Sequence, residues 1–458
     1  MDRESSLRNS GDSNIDTGIS PHVFPTATLS RFFVALPSES FQLGISYRMM
    51  LCYIALTSMI AITAATLFTP LERIEKPLLL VEDGSIVEVT SQAQREAPAG
   101  SREVDFPGGI LAPGFIDIHI HGGAGHDVME AGANALPPVE RLLARHGVSS
   151  YFPTTVTAPL DATLSALERL ADAIETASDE AAAVGATDRS RRSTENPTEI
   201  RARPRGIHLE GPFISQCRRG VHPPENLLTP SLGAFDRFWQ AARGHIRVLT
   251  IAPELPGAIE VISEAAKRGV CVSLGHSDAE LNAARAGVTA GARHATHTFN
   301  AMRPLGHRDP GILGEVLTDA RLSADIIADG IHLDPAVVQL FLKAKGPDTA
   351  VLITDATAAT GMPDGIYRLG SLEVEVKDGK CMNGGNLAGS VLTMDLAVRN
   401  VMKFAQWDLQ QAVRLATLNP ARVTRLGDGC LKPGGSADLV VLSPKGEVQK
   451  TIIRGAGI

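Results

Sequence analysis

The stretch Leu111-Ala-Pro-Gly-Phe-Ile-Asp-Ile-His-Ile-His-Gly-Gly-Ala-Gly125 decides the fold, because a short apolar run ends there in two histidines and then in glycines. Residues i and i+2 of a strand project to the same side, so His119 and His121 leave one face at the strand end. This spacing is typical of a pair of metal ligands. Taken alone, such a pair is better explained as two half-buried histidines with backbone partners than as a metal site. The rest of the chain favours the metal site instead.

Further apolar runs of strand length follow, separated by stretches with helical periodicity. Together with the first run they number eight and cover residues 115–119, 149–156, 205–210, 246–252, 270–275, 293–297, 322–328 and 350–355. Helix candidates between them include 138–146, 161–183, 232–243, 257–268, 279–290 and 335–345. Eight strand–helix units predict a closed, TIM-like (β/α)8 barrel.

The barrel is expected to span residues 112–429, with a small β-sandwich built from both chain ends, 59–111 and 430–458, where short strands are bounded by Gly and Pro. Residues 365–380 predict a hairpin after the eighth strand. The polar, arginine-rich interval 178–204 predicts an exposed insertion. A nucleic-acid contact is the alternative for this interval, but acidic residues are mixed in and no aromatic residue accompanies the arginines.

Composition narrows the kind of partner and the compartment. A net charge of −8, with both signs interspersed over 458 residues, argues against a nucleic-acid surface and favours a small-molecule partner. The five cysteines are scattered, with no CxxC pair, so neither a disulfide framework nor a thiolate metal site is indicated. We therefore expect a reducing, cytoplasmic location.

The N-terminus allows two interpretations. Residues 1–48 are polar and lack periodicity, and 49–70 carry no charge over a length that could span a bilayer. The second half of the uncharged stretch, however, continues into strand-like sequence. We therefore expect 1–58 to be a leader outside the folded domains and no membrane contact, with membrane association or export through 49–68 as the alternative.

The residues that end five of the eight runs are unusually polar. They are His119 and His121 after the first run, Glu210 after the third, His276 after the fifth, His297 after the sixth and Asp355 after the eighth. The C-terminal strand ends of such a barrel form the active site. Nitrogen and carboxylate ligands without thiolates favour zinc or another first-row divalent ion. Asp355 is then the candidate acid/base for hydrolysis, the alternative being a helix cap.

The sequence resembles the N-acetylglucosamine-6-phosphate deacetylases of the amidohydrolase superfamily. The motifs that carry the resemblance are PGFIDIHIHGG, HLEGPF, GHS, THTFNAM, DGIH, TDA and NLAGS, spread from about residue 62 to the C-terminus. The resemblance implies Glu210, His276 and His297 as primary metal ligands and Asp355 as catalytic acid/base. His119 and His121 are the ligands for a second ion, and whether one or two ions bind stays open. Zn2+ is the expected ion, with Fe2+, Mn2+ and Co2+ as alternatives.

The same resemblance implies a set of substrate-binding residues: Val221, His222, Asn300, Ala301, Arg308, Asp329, His332, Leu387, Ala388 and Gly389. His222 would polarise the acetyl carbonyl, Arg308 and His332 would bind the phosphate, and the segment around Gly389 would close over the ligand. Without the resemblance, His222 and Arg308 are ordinary polar loop residues. It also implies a homodimer. The competing functions are another amidohydrolase acting on a cyclic amide or nucleobase, and a catalytically silent binding barrel.

Overall fold

The computed structural model describes residues 59–130, 135–185 and 199–457. The predicted leader, 1–58, lies outside these residues. Among the helices of the described ranges, none has the length and apolar character needed to cross a bilayer.

Eight parallel strands form a closed barrel in the described part of the chain, which confirms the predicted (β/α)8 architecture. They are Phe115–Ile120, Val148–Thr155, Ile207–Glu210, Ile246–Ile251, Cys271–Leu274, His294–Ala295, Ala324–Ile327 and Ala350–Ile353. Ladders join the first six in order and the seventh to the eighth. Backbone bonds of 2.9 Å link the remaining neighbours: the Thr298 N–H donates to the Asp325 carbonyl, and the Asp355 N–H donates to the His119 carbonyl.

Helices surround the barrel and bury one face each. They are Leu136–Arg145, Leu160–Gly185, Leu232–Ala241, Ala258–Lys267, Leu281–Ala290, Gly311–Thr318, Pro335–Thr349, Met394–Ala405, Leu409–Leu415 and Leu418–Thr424, with 3-10 turns at Gln216–Arg218 and Pro224–Asn226. Local sequence explains where some begin. Asp334 accepts the Ala336 N–H at 2.8 Å just before Pro335, and Asp408 forms a reciprocal capping box with Gln411. The six predicted helices are confirmed to within a few residues.

The predicted insertion at 178–204 is wrong at both ends. The helix Leu160–Gly185 runs past residue 178, because its sequence continues in alanine and glutamate, which favour helix. Arg203–Pro204 is a short strand paired in parallel with the second barrel strand. Residues 186–198, between them, lie outside the described ranges.

Strands from both chain ends form one seven-stranded sheet. The order is Val448–Ile452, Leu439–Leu442, Arg102–Pro113, Ile60–Phe68, Pro77–Glu82 and Ser85–Ser91, with Arg73–Glu75 beside Ile60–Phe68. Side chains of Leu439–Leu442 alternate between two cores: Leu439 and Val441 pack within this sheet domain, whereas Val440 and Leu442 pack into the barrel core. The strand Arg102–Pro113 leads directly into the first barrel strand, so the predicted boundary at 111 falls inside it.

The predicted hairpin after the eighth strand is confirmed, with Gly365–Leu369 antiparallel to Leu372–Lys377. Two further strands, Lys380–Asn383 and Asn386–Leu387, extend it into a four-stranded sheet. It lies beside the small ribbon Gly122–Gly123 and His126–Asp127, which follows the first barrel strand. The buried Asp127 carboxylate accepts the Gly370 N–H at 2.7 Å and so holds the two together.

Candidate metal centre and active site

The six polar side chains that end the barrel strands converge on one buried point. They are His119, His121, Glu210, His276, His297 and Asp355, and none is more than 7% exposed. They come from five strands that are distant in sequence, and the barrel brings their C-terminal ends to one face.

The Glu210 carboxylate lies at the centre of this cluster. Its Oε1 is 3.2 Å from Nε2 of His276 and 3.1 Å from Nε2 of His297, and those two nitrogens are 3.0 Å apart. Its Oε2 is 3.3 Å from Nε2 of His121. Oε1 therefore faces His276 and His297, and Oε2 faces His121.

A second group forms beside it around the first and eighth strands. Oδ1 of Asp355 is 3.2 Å from Nε2 of His121 and 3.4 Å from Nε2 of His119, and these two nitrogens are 3.2 Å apart. Nε2 of His119 is also 3.5 Å from Oε1 of Glu210. The two groups share Glu210 and make one continuous centre.

Backbone carbonyls fix the ring orientation of two of these histidines. Nδ1 of His121 donates to the Thr154 carbonyl at 3.0 Å, and Nδ1 of His276 donates to the Arg218 carbonyl at 2.9 Å. With the proton on Nδ1, the neutral ring presents the lone pair of Nε2 to the centre. This is the arrangement that outer partners impose on metal-binding histidines.

His222 has the opposite orientation. Its Nδ1 accepts the Thr157 backbone N–H at 3.2 Å, so in the neutral ring the proton is on Nε2. That Nε2 lies 3.6 Å from Oε2 of Glu210. His222 therefore presents a hydrogen-bond donor to the centre rather than a lone pair.

The donor set fits a divalent metal ion. Two ligands at about 2.0 Å from a tetrahedral ion lie about 3.3 Å apart, which is close to the separations found here. The Nε2 atoms of His276 and His297, 3.0 Å apart, are close enough to be ligands of one ion. Burial lowers the pKa of His276 to about 4. Burial also lowers the pKa of His297, but the carboxylates of Glu210, Asp355 and Asp325 together outweigh it and raise that pKa to about 9.

Asp355 is poised as an ionised carboxylate. Burial alone would raise its pKa, but the neighbouring His119 and His121 outweigh burial and hold the pKa of Asp355 below its usual range. Its backbone has a positive φ of 52° and is held by the His119 carbonyl and by the Ser390 N–H, which donates to the Asp355 carbonyl at 2.8 Å. A carboxylate fixed in this way can accept a proton at neutral pH.

Two buried aspartates that sequence reasoning missed support this centre. Asp117 accepts the Thr354 hydroxyl at 2.6 Å and the His119 N–H at 3.3 Å, and burial raises its pKa to about 6. Asp325 accepts the backbone N–H of His297. Asp117 precedes His119 by two residues, on the same strand face, and that spacing is a signal that could have identified it.

The proposed substrate-binding residues lie on segments that follow the third, sixth, seventh and eighth strands. Val221 packs in the same apolar cluster as Ala388, so the structure brings these two segments together. Asn300 Nδ2 donates to the His297 carbonyl at 3.2 Å, and the carbonyl of the half-buried Ala301 accepts the Ser277 N–H at 3.1 Å. Leu387 ends the last strand of the four-stranded sheet.

The two residues proposed to bind the phosphate, His332 and Arg308, differ in their hydrogen-bond partners. Asp329 accepts the His332 ring and backbone N–H groups at 2.7 and 2.8 Å, so its carboxylate orients His332. Arg308 is exposed, and within the described residues its guanidinium has no hydrogen-bond or ion-pair partner. In the described ranges neither Arg308 nor His332 makes a polar contact with the six-residue centre.

Gly389 is tightly enclosed next to the acid/base candidate. Its φ is +65°, and a Cβ there would lie 2.9 Å from the Asp355 carbonyl oxygen and 2.6 Å from Cγ2 of Thr357.

Gly389→Ala is expected to displace Asp355 and lower kcat at least tenfold. Gly384→Ala is the matched control, since Gly384 also has positive φ (+54°) but open space around it. Both pay about 1–2 kcal/mol for the left-handed backbone. Kinetics and thermal melts of both variants check this, and native kcat in Gly389→Ala would contradict it.

The fold and the centre together define a class: a (β/α)8 barrel with a buried His/Glu/Asp centre suited to a divalent metal. The chain belongs to the amidohydrolase family, whose model matches residues 110–457. It is 35% identical to the N-acetylglucosamine-6-phosphate deacetylase of Lysinibacillus sphaericus, over 82% of this chain and 91% of the relative. It is 37% identical to the N-acetylgalactosamine-6-phosphate deacetylase of Escherichia coli O157:H7, over 76% and 87% of the two chains.

A solved structure shares both fold and sequence. It is an N-acetyl-D-glucosamine-6-phosphate deacetylase variant from Mycobacterium smegmatis in complex with N-acetyl-D-glucosamine 6-phosphate. That structure has a TM-score of 0.78 and 33% identity, covering 87% of this chain and 99% of its own. The resemblance inferred from the sequence motifs is therefore confirmed.

Proposed function

We propose that this protein hydrolyses the acetamide of N-acetylglucosamine 6-phosphate to acetate and glucosamine 6-phosphate. The observation that carries the proposal is the juxtaposition of a buried ionised carboxylate, Asp355, with a buried hydrogen-bond donor, His222, around a Glu210-centred ligand set. The relatives favour this activity over the cyclic-amide, nucleobase and binding-barrel alternatives.

Glu210, His276 and His297 would hold one divalent ion, most simply Zn2+, with Fe2+, Mn2+ or Co2+ as alternatives, and His119 and His121 would contribute to a second. When bound, such an ion supplies Lewis acidity toward the amide oxygen and toward water. The Nε2–H of His222 donates to the acetyl carbonyl oxygen as it gains negative charge. Glu210 keeps the ligand histidines at the distances described above.

Asp355 carries the proton through the reaction. Its carboxylate takes a proton from the water whose oxygen bonds to the acetyl carbon. As the C–N bond breaks, the same group returns that proton to the departing amine nitrogen, so acetate and the free amino sugar leave and Asp355 is again ionised. The enclosed position of Gly389 keeps this carboxylate in place.

The test is acetate release from N-acetylglucosamine 6-phosphate with and without a chelator. We expect turnover that chelation abolishes and a divalent metal restores. N-acetylgalactosamine 6-phosphate is the second candidate substrate, because the Escherichia coli relative named for it is as similar as the others. Unphosphorylated N-acetylglucosamine serves as the comparison substrate. No acetate from either phosphate ester would refute the proposal.

Arg308→Ala is expected to raise KM for the phosphorylated sugar by about 10- to 100-fold with a smaller effect on kcat. The guanidinium is exposed and has no partner among the described residues, so it is suited to a bidentate contact with phosphate, and a remote phosphate supplies binding energy and orientation. The ratio of kcat/KM for the phosphorylated sugar to kcat/KM for unphosphorylated N-acetylglucosamine should fall by the same factor. Steady-state kinetics on the two sugars measure this. An unchanged preference would show that another group binds the phosphate.

We also propose a cytoplasmic homodimer. The cytoplasm is supported by the cysteines, since the four in the described residues, Cys217, Cys271, Cys381 and Cys430, form no disulfide. The homodimer rests on the family resemblance alone. Analytical ultracentrifugation of the active protein tests it, and a fully active monomer would remove it.

A further inference from the structure

The second barrel strand, Val148–Thr155, contributes no side chain to the six-residue centre, but the segment that follows it reaches the site through Thr157. Thr157 is 2% exposed. Its hydroxyl oxygen lies 2.8 Å and its backbone nitrogen 3.2 Å from Nδ1 of His222. Thr157 therefore contacts the proposed carbonyl donor at the ring nitrogen that does not face Glu210.

Both hydrogen-bond donors of Thr157 converge on this one nitrogen. The backbone N–H can only donate, so Nδ1 of His222 is the acceptor and carries no proton in the neutral ring. The hydroxyl, which is close to the same nitrogen, then donates to it as well. The other tautomer would turn an Nδ1–H toward the Thr157 N–H, and two donors facing each other in a buried place are unfavourable.

The space for the Thr157 hydroxyl depends on Gly211. A Cβ on Gly211 would lie 2.4 Å from Oγ1 of Thr157 and 3.7 Å from Nδ1 of His222. Gly211 directly follows Glu210, so the hydroxyl lies between the segment that carries the central carboxylate and the ring of His222. A group that needs more room than a hydroxyl would displace one of these two neighbours.

The other contacts of His222 hold its main chain and restrict its ring, but none of them involves Nδ1. The His222 N–H donates to the Arg219 carbonyl at 3.1 Å, and the His222 carbonyl accepts from Nη1 of Arg219 at 2.7 Å. The ring packs edge-on against His276, with centroids 4.7 Å apart. Nε2 is 3.6 Å from Oε2 of Glu210, which is longer than a hydrogen bond. The choice of tautomer therefore rests on Thr157.

We propose that Thr157 is a positioning residue for His222: its N–H selects the tautomer, and its hydroxyl sets the ring position that aims Nε2–H at the acetyl carbonyl oxygen. The inference rests on the proposed function and deepens it. A donor aimed at an oxygen that gains negative charge stabilises the transition state more than the bound substrate, so its displacement lowers kcat rather than raising KM.

Thr157→Val tests the role of the hydroxyl in the full chain with its metal bound. A methyl group needs about 3.5 Å or more from the ring, so it cannot take the place of the hydroxyl without moving His222. We expect kcat for N-acetylglucosamine 6-phosphate to fall by about tenfold or more, with KM within about threefold of native and native metal content. Thr157→Ser keeps both donors and should restore kcat to within about threefold of native.

Thr424→Val is the matched control for the loss of a buried threonine hydroxyl. Thr424 is 5% exposed and donates to the Pro420 carbonyl at 2.7 Å. Its helix, Leu418–Thr424, contacts the start of the eighth strand, where Asn419 Nδ2 donates to the Ala350 carbonyl at 2.6 Å, so it lies at the end of the barrel opposite the site. This variant should lose thermal stability and keep its native kcat.

His222→Ala provides the measurement that a merely structural role of Thr157 would not pass. If Thr157 acts through His222, then Thr157→Val in the His222→Ala background should change kcat by less than about twofold. The tautomer is measured directly by 15N NMR of the Zn2+-bound protein labelled at histidine, with the His222 signals identified by their absence from His222→Ala. Native protein should show an unprotonated Nδ1 and a protonated Nε2.

Three results would overturn the inference: native kcat in Thr157→Val, losses that multiply fully in the double variant, or a protonated Nδ1 of His222 in the neutral ring of the native protein. If Thr157→Val does not fold, Thr157→Ala removes the hydroxyl without adding a methyl in its place and decides by the same criteria. Native protein that releases no acetate from the phosphate ester would instead refute the proposed function, and the NMR measurement would still decide the tautomer.

Discussion

Replacing Asp355 by asparagine is expected to lower kcat by about a thousandfold or more while fold and metal content stay native. The amide has nearly the shape of the carboxylate, so the contacts with His119 and His121 are perturbed little. It cannot, however, take a proton from water and return it to the amine nitrogen. Single-turnover acetate release, a metal assay and a thermal melt on the same sample separate the loss of proton transfer from the loss of structure.

Asp364→Asn provides the control for that experiment. Asp364 is an exposed carboxylate of the nearby hairpin and accepts the Asp378 N–H at 3.1 Å, so the same change there should leave kcat unaltered. Activity of Asp355→Asn within tenfold of native would refute the acid/base assignment. Loss of metal from that variant would instead show that Asp355 acts chiefly as a ligand.

Glu210→Ala is expected to abolish metal binding and activity together. Its two oxygens contact four histidines from three strands, so its removal takes away the only carboxylate between the two ligand groups in the described structure. Repulsion among the remaining imidazoles then disfavours the compact arrangement, and metal affinity should fall below what survives desalting. Elemental analysis of the purified variant measures metal per chain, and acetate release should fall by about a thousandfold or more.

Glu315→Ala is the matched control for a buried glutamate. Glu315 is 4% exposed and pairs with Arg285 at 3.1 Å on an outer helix, away from the ligand centre. We expect it to lose stability but to keep its metal and its kcat. If Glu210→Ala retained stoichiometric metal, the ligand role of Glu210 would be refuted.

The convergence of the six strand-end residues could be anticipated because the barrel fold places every strand's C-terminus at one face. A histidine that follows an apolar run, such as His276 or His297, can therefore be assigned to this face from the sequence alone. The contacts of Asp117 with the Thr354 hydroxyl and of Asp325 with the His297 N–H could not be anticipated in this way. These partners are remote in sequence, and no local pattern records such contacts.

The predicted ends of two elements also differ from the structure. The sixth strand is only His294–Ala295, shorter than the predicted run 293–297, and the chain turns at His297, which has a positive φ. The helix Leu160–Gly185 continues past residue 178, into the predicted insertion, because alanine and glutamate favour helix. The roles of Arg308, His332 and Gly389 came from the family resemblance and stay predictions until the variants are measured.

The position of the strand Leu439–Leu442 in the sequence affects when the sheet can form during synthesis. It pairs antiparallel with Arg102–Pro113 and contributes side chains both to the sheet domain and to the barrel core. During translation, Arg102–Pro113 leaves the ribosome more than three hundred residues before this neighbour. One edge of that strand is therefore open through most of synthesis, the state in which edge strands recruit other chains. The sheet is therefore complete only after Leu439–Leu442 has left the exit tunnel and can pair with Arg102–Pro113.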